Sequence, residues 1–203
     1  MKKTIILLLL ATLQMIGAYA QNPTLARKVL DKTASIVGNR KGATARFTVS
    51  GSKIGSTSGA IAIKGNMFHA STPKATVWYN GKTQWSYLKS TNEVNVSTPS
   101  AAQRMRMNPY AFITLYKHGY NLGVTTKGSN YVVHMTAQNK KQAVQEIYLT
   151  VNSRSHVPSM VKMKENGSWT TISVTGFQAK SLSNGIFTFR QKDFPSAEVI
   201  DLR

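Results

Sequence analysis

Residues 79–87 read YNGKTQWSY and contain Gly81-Lys82-Thr83, a triplet of the kind that ends a phosphate-binding loop. Such a loop needs a second glycine five positions before the Gly-Lys pair, so that successive backbone N–H groups surround the phosphates, and Thr76 stands there. The residues after the triplet alternate with the period of a strand, whereas a phosphate-binding loop opens a helix. The triplet therefore predicts a hairpin and argues against a nucleotide site.

Acid–base and metal chemistry need carboxylates or histidines that lie close together, and this chain has few of either. Its seven acidic residues are scattered singly, and its four histidines lack the spacing of a helical zinc site. The segment Gly55 to Gly59 looks like a nucleophile elbow but has Thr57 where serine is required. We expect no enzyme activity, no metal site and no cofactor.

The first twenty residues have the layout of a secretory signal. Two lysines precede the apolar run Ile5 to Leu10, and small residues lead up to Ala20. The apolar run is far shorter than the roughly 20 residues that a membrane-spanning helix requires. We predict that the signal, residues 1–20, is cleaved after Ala20. Residues 21–203 then form a single domain, because they contain no linker-like tract.

Cysteine is absent, and basic residues far outnumber acidic ones. An exported chain without cysteine has no disulfides and lacks the residue on which bacterial lipoproteins are acylated, so we expect it not to be lipid-anchored. The formal net charge is +19, and it is +17 once Lys2 and Lys3 leave with the signal. This balance favours anionic partners, although dispersed lysines are also typical of a solvated surface. Export argues against a nucleic-acid partner.

The remaining sequence has the pattern of one helix followed by short strands. Asn22-Pro23 is a typical helix start, and Gly38-Asn39 is a typical stop, with apolar residues at helical spacing between them. These signals predict a helix over about 23–37. Alternating segments then begin near residue 43 and indicate antiparallel strands.

Two hairpin signals and one interruption divide the strands. Asn166-Gly167 and Asn184-Gly185 indicate tight turns, and the segment IFTF at 186–189 is predicted as a strand. Residues 98–119 lack alternation and contain Pro109, which predicts a short helical insert.

For the hairpin quoted above, a two-residue turn at Asn80-Gly81 would pair Tyr79 with Lys82 and Trp78 with Thr83. Trp78, Trp85 and Tyr87 would then share one face of the strand pair, with the two tryptophans as diagonal neighbours. The sequence leaves open whether that face is packed core or the wall of a ligand cavity.

The order of these motifs resembles the LolA family, the periplasmic carriers of bacterial outer-membrane lipoproteins. Residues 59–96, GAIAIKGNMFHASTPKATVWYNGKTQWSYLKSTNEVNV, have the family's Asn-x-Phe step, its proline, its Gly-Lys-Thr turn and its Trp-x-Tyr. The match continues in segments on either side of this region: Leu30-Asp31-Lys32, Asn108-Pro109 before Phe112-Ile113, and Phe187-Thr188-Phe189 with Pro195 and Val199.

The resemblance implies a mainly β fold with α: an incomplete, curved antiparallel β-barrel covered by the N-terminal helix and the short helical insert, with an apolar cavity between them. It implies a monomeric, non-enzymatic periplasmic carrier that shields lipoprotein acyl chains on their way from the inner to the outer membrane. The implied partners are acylated lipoproteins, an inner-membrane lipoprotein-releasing transporter and an outer-membrane receptor.

By family position, Leu30 and Phe68 line the cavity. The other expected cavity residues come from the hairpin and the insert: Trp78, Trp85, Tyr87, Met105, Met107, Phe112 and Ile113. Flexible methionines, including Met135, Met160 and Met163, suit acyl chains of varied shape but also suit a packed core.

One position departs from the family pattern. The family often carries an Arg-Pro pair before the Asn-x-Phe step, where the arginine helps to hold the lid closed, and here Lys64-Gly65 stands there. The closing mechanism therefore differs or uses Lys64. The alternative function is a basic periplasmic binding module for other lipids, polyanions or acidic proteins, with the barrel interior merely packed. An enzyme on this scaffold would need a clustered polar site, which the sequence lacks.

Overall fold

The computed structural model describes residues 22–52, 55–100, 103 and 115–203. In this part of the chain, one helix accompanies a single sheet of twelve strands. The helix and the strands are α1 (Pro23–Val37), β1 (Ala43–Gly51), β2 (Gly55–Lys64), β3 (Met67–Ser71), β4 (Ala75–Tyr79), β5 (Gln84–Leu88), β6 (Glu93–Ser97), β7 (Tyr120–Lys127), β8 (Asn130–Ala137), β9 (Val144–Asn152), β10 (Pro158–Glu165), β11 (Ser168–Ala179) and β12 (Glu198–Asp201). Of the predicted helical insert, residues 101, 102 and 104–114 lie outside the described residues.

The helix α1 has the bounds that its end signals predict. The side chain of Asn22 accepts a hydrogen bond from the Leu25 N–H at 2.8 Å, and Pro23 occupies the first turn, where no N–H is needed. At the other end, the Gly38 N–H donates to the Ala34 carbonyl at 2.8 Å. The buried positions recur every three or four residues, so one side of α1 faces the sheet: Ala26, Val29, Leu30, Thr33 and Val37.

Two meanders build the sheet. Its strand order is β12-β6-β5-β4-β3-β2-β1-β11-β10-β9-β8-β7, so β1 and β11 join the two halves in the middle. All pairs are antiparallel apart from β12 and β6, which are parallel, with Glu198 beside Glu93. The prediction of a purely antiparallel sheet is therefore wrong at this edge.

The sheet is curved and open. Side chains from both halves, such as Phe68 on β3 and Leu122 on β7, belong to one buried core with Leu30 of α1, which requires the sheet to bend around the helix. The two end strands, β12 and β7, are not paired with each other, so the barrel is incomplete. In the described ranges, no helix combines the length and the apolar character needed to cross a membrane.

The β4–β5 hairpin turns one residue later than the sequence suggested. Tyr79 pairs with Gln84 and Trp78 pairs with Trp85, so the central turn residues are Gly81 and Lys82. The Asn80 side chain explains the shift, because its oxygen accepts from the N–H groups of Lys82 at 3.0 Å and of the next residue at 2.9 Å. Gly81 has a φ of +99°, which suits a glycine in the first central position of a type II′ turn.

The two Asn-Gly signals have different outcomes. Asn166-Gly167 does form the β10–β11 turn, between the paired residues Glu165 and Ser168. Asn184-Gly185 does not form a hairpin, because residues Asn184–Phe187 form a 3-10 turn. The Ser183 hydroxyl caps this turn by accepting a hydrogen bond from the Gly185 N–H. The predicted strand at 186–189 is therefore wrong. Residues 184–197 instead form a segment, here called the C-terminal cover, that includes a second 3-10 turn at Gln191–Asp193.

Candidate functional site

The side of the sheet that faces α1 is apolar from β7 across to β4, and we call it the inner face. At β5 and β6 this side instead carries the polar residues Gln84, Ser86, Asn95 and Ser97. It combines the buried side of the helix with alternate residues of nearly every strand, because successive strand residues point to opposite sides. Its strand residues include Ile61, Ile63, Phe68, Tyr79, Leu122, Val133, Met135, Ile147, Leu149 and Ile172.

Leu30 and Phe68 are brought together on the inner face. Leu30 is 0% exposed and Phe68 is 1% exposed. The ring of Phe68 lies 5.6 Å from the ring of its cross-strand partner Tyr79. Both residues belong to the core that α1 covers.

Trp78, Trp85 and Tyr87 share a face, as predicted, but it is the opposite one, which we call the outer face. Tyr79 is on the inner face, so its neighbour Trp78 points away from α1, and the register places Trp85 and Tyr87 beside it. The expectation that these three aromatic residues line one cavity with Leu30 and Phe68 therefore does not fit their placement.

The C-terminal cover packs on these outer aromatic residues. Phe189 and Phe194 each lie 5.5 Å from the Trp78 ring, and Phe194 lies 4.8 Å from the Tyr87 ring. The His69 ring also stacks on Trp78, with the ring centres 5.4 Å apart. The result is a second, aromatic core on the outer face. Phe189 was missed as a member because it was assigned to a strand, and Phe194 was missed because it lies in a stretch without a strand or helix period.

The remaining predicted cavity residues, Met105, Met107, Phe112 and Ile113, lie outside the described residues. Of the other methionines, Met135 is buried in the inner core and Met163 is half-buried against it. Met160 is 41% exposed and adjoins the inner-face residue Val161, so it lies on the outer face.

A polar contact holds the helix to the chain segment before β7. The Tyr116 hydroxyl donates a hydrogen bond to the Asp31 carboxylate, and the guanidinium of Arg27 lies 5.9 Å from the Tyr116 ring centre. Burial and the neighbouring Asp31 carboxylate raise the pKa of Tyr116 well above its usual value, although Arg27 opposes the shift. Tyr116 thus remains a neutral donor. Sequence analysis did not identify Tyr116 because it lies in residues 98–119, which lack strand alternation.

The structure shows a backbone contact for Lys64, whose role the sequence did not determine. Its ammonium group donates to the Leu182 carbonyl at 2.7 Å. Leu182 in turn donates its N–H to the Lys41 carbonyl. Lys64 therefore ties β2 to the chain just before the C-terminal cover, a backbone contact at a position where the family often has arginine.

Charged groups on the outer face of β8 and β9 pair locally. The carboxylate of Glu146 accepts a hydrogen bond from Tyr148 at 2.8 Å and interacts with the His134 ring nitrogen at 2.9 Å. Burial alone would raise the pKa of Glu146, but the bonds from Tyr148 and His134 outweigh it and hold the pKa below its usual value. Within the ranges that the structure describes, no group of three or more His, Cys, Asp or Glu side chains could hold a metal ion.

His69 makes the stability of the protein depend on pH. Burial beside Trp78 lowers the pKa of its imidazole, whereas the unfolded chain keeps the ordinary value of about 6.5. As the pH falls below that value, the unfolded state takes up the proton first, so His69 lowers the free energy of unfolding. We expect denaturant titrations at pH 7.5 and pH 5.0 to show a smaller pH-dependent loss in His69→Gln than in wild type. Equal losses would contradict this assignment.

The fold and the site together define a class: an open, curved sheet wrapped around a helix, with an apolar inner face. The chain belongs to the family of the outer membrane lipoprotein carrier protein LolA, which matches residues 16–167. None of the curated proteins matches the chain in sequence.

The chain is similar to solved structures at low sequence identity. An uncharacterised conserved protein from Thermus thermophilus superimposes with a TM-score of 0.60 at 14% identity, over 87% of this chain and 99% of that one. A LolA superfamily protein from Nitrosomonas europaea has a TM-score of 0.45 at 11% identity, over 81% and 97%. LprF from Mycobacterium bovis has a TM-score of 0.46 at 7% identity, over 81% and 99%. At such low identity, the similarity to the Thermus protein concerns the fold alone.

Proposed function

We propose that this protein is a periplasmic carrier that covers the acyl chains of lipoproteins against its inner face and moves them from the inner to the outer membrane. The observation that carries the proposal is the continuous apolar inner face beneath α1 in a member of the LolA family. Leu30 and Phe68 are the described residues that we assign to the acyl-binding wall. Met105, Met107, Phe112 and Ile113 stay candidates for it.

The physical need for a carrier follows from the chemistry of its cargo. Each acyl CH₂ group left in water costs about 0.8 kcal/mol, so an acylated protein does not cross an aqueous compartment unaided. A helix lying on a curved apolar sheet can cover such chains if it moves relative to the sheet. The small polar attachment of α1 through Asp31 and Tyr116 suits a cover of this kind.

The carrier proposal also sets the partners and the location. We propose acylated lipoproteins as cargo, an inner-membrane lipoprotein-releasing transporter as the donor and an outer-membrane receptor as the acceptor. The predicted signal at residues 1–20 directs the chain to the periplasm. The high positive charge speeds encounters with anionic membrane surfaces, an effect that salt weakens. The proposed mechanism uses no catalytic group and no cofactor.

Capture of one lipoprotein with and without its acyl chains tests the proposal. Purified protein is mixed with the acylated form or with an unacylated variant of the same lipoprotein, and the complex is recovered by an affinity tag. We expect recovery of the acylated form only, together with co-purifying acylated protein in native mass spectrometry. Equal recovery of both forms would refute the carrier function and favour a basic module that binds acidic proteins through its surface.

A further inference from the structure

A groove of about 640 Å³ crosses the middle of the sheet on the outer face, over β11, β1, β2 and β3. Its floor is low because β2 presents only two alanine side chains there, between larger residues of β1 and β3. The outer-face residues that matter for its chemistry are Arg46, Ala60, Ala62, His69, Thr175 and Gln178.

A β-bulge opens one end of the groove. Thr44 pairs with Gln178, but Arg46 pairs with Thr175, so β11 has one extra residue at this point. Gly176 lies in the bulge with a φ of +60°, and no atom lies within 4 Å of the place where its Cβ would be. The space beside Gly176, next to the Arg46–Thr175 pair, is therefore not filled by a side chain.

Two polar side chains of the groove, Arg46 and His69, are free to bind a ligand, whereas the Ser71 hydroxyl already pairs with that of Thr76. Arg46 is exposed, and its guanidinium has neither a hydrogen bond nor an ion pair among the described residues. The His69 ring stacks on Trp78, but in the same part of the chain its nitrogen atoms have no hydrogen-bond partner. All seven acidic residues are described, and none lines the groove. The groove thus has an unneutralised positive charge next to an apolar floor.

We propose that this groove binds a single-chain amphiphile with a carboxylate head group. The carboxylate accepts two parallel hydrogen bonds from Arg46, the geometry that a planar guanidinium favours. The alkyl chain lies over Ala60 and Ala62 towards His69 and covers the methyl group of Ala60, which water now contacts. A single arginine matches a singly charged head group and would leave a phosphate monoester partly uncompensated. Because the groove is on the opposite side of the sheet from α1, this site is independent of the proposed carrier function.

Titration of the full-length mature chain with sodium octanoate, followed by ¹H–¹⁵N NMR, tests the site. We expect saturable shifts at the backbone amides of Ala60, Ala62 and His69. Arg46→Gln should raise the dissociation constant measured at these amides about tenfold, because it removes a charge-assisted pair of hydrogen bonds. Ala60→Leu should abolish the shifts by filling the floor. The control Arg154→Gln makes the same charge change in the β9–β10 loop and should leave the titration unchanged.

The same spectra distinguish binding in the groove from binding at the inner face. Amides of Leu122 and Met135 report on the inner face. Shifts confined to those two amides, or an unchanged dissociation constant in Arg46→Gln, would overturn the proposal. 1-Octanol, which has the same chain without the charge, should bind the groove at least several-fold more weakly than octanoate. Equal affinity would likewise overturn it.

Discussion

Phe187→Ala is expected to lower the free energy of unfolding by about 3–5 kcal/mol. Phe187 is 0% exposed, although the segment around it is mostly in contact with water. Its 3-10 turn contacts β3 and β4, the strands that carry His69 and Trp78. The side chain therefore anchors the C-terminal cover to the outer face, and its removal leaves a cavity that the short turn cannot fill.

The neighbouring residue supplies a matched control. Ile186 is 37% exposed, so Ile186→Ala should change the free energy of unfolding by less than about 1 kcal/mol. Both variants are measured by guanidinium titration, with far-UV circular dichroism for the sheet and tryptophan fluorescence for the cover. Fluorescence is informative because Trp78 contacts Phe189 and Phe194. Similar losses in the two variants would show that Phe187 is not the anchor.

Leu30→Ala should cost about 2–5 kcal/mol of stability, because Leu30 is fully buried where α1 meets the sheet. The matched control is Lys28→Ala on the exposed side of the same helix, which should be nearly neutral. Thermal and denaturant unfolding of the two variants measure this difference. A small effect of Leu30→Ala would mean that α1 is only loosely held on the inner face.

The same two variants test the assigned acyl-binding wall. Capture of acylated lipoprotein is measured at a temperature at which each variant is folded, and the yield is divided by the folded fraction. We expect Leu30→Ala to capture less than wild type after this correction, and Lys28→Ala to match wild type. Equal corrected yields in all three proteins would make Leu30 a purely structural residue.

Local signals in the sequence were sufficient to predict much of the fold. Asn22-Pro23 and Gly38 bracket a helix with the predicted bounds, because capping and φ preferences act within a few residues. Alternation also predicted that Trp78, Trp85 and Tyr87 share a face, and the one-residue shift of the turn preserves that grouping. The shift itself depends on the Asn80 side chain, whose hydrogen bonds compete with the usual Asn-Gly preference.

Local sequence patterns could not predict on which side of the sheet a residue lies. Trp78 and Tyr79 are neighbours and both buried, so alternation could not say which of them faces α1. The answer depends on the C-terminal cover, about 100 residues further along the chain, which makes the outer face apolar as well. The parallel pairing of β12 with β6 could not be predicted from local patterns either, because it depends on the path of the C-terminal cover.

The pairing of β12 with β6 has a consequence for the order in which the chain folds. A chain that emerges from the N-terminus first presents β6 about 100 residues before its partner β12, which leaves the β6 backbone and the outer aromatic residues uncovered for that interval. Pairing two strands so far apart in the sequence is slow, because the chain between them loses conformational entropy before the strand pair stabilises the contact. A chain that folds as it emerges therefore has, for a time, a sheet with an exposed edge and an uncovered aromatic face. Chaperones that bind exposed strand edges and aromatic residues would find their binding surface in that intermediate rather than in the folded protein.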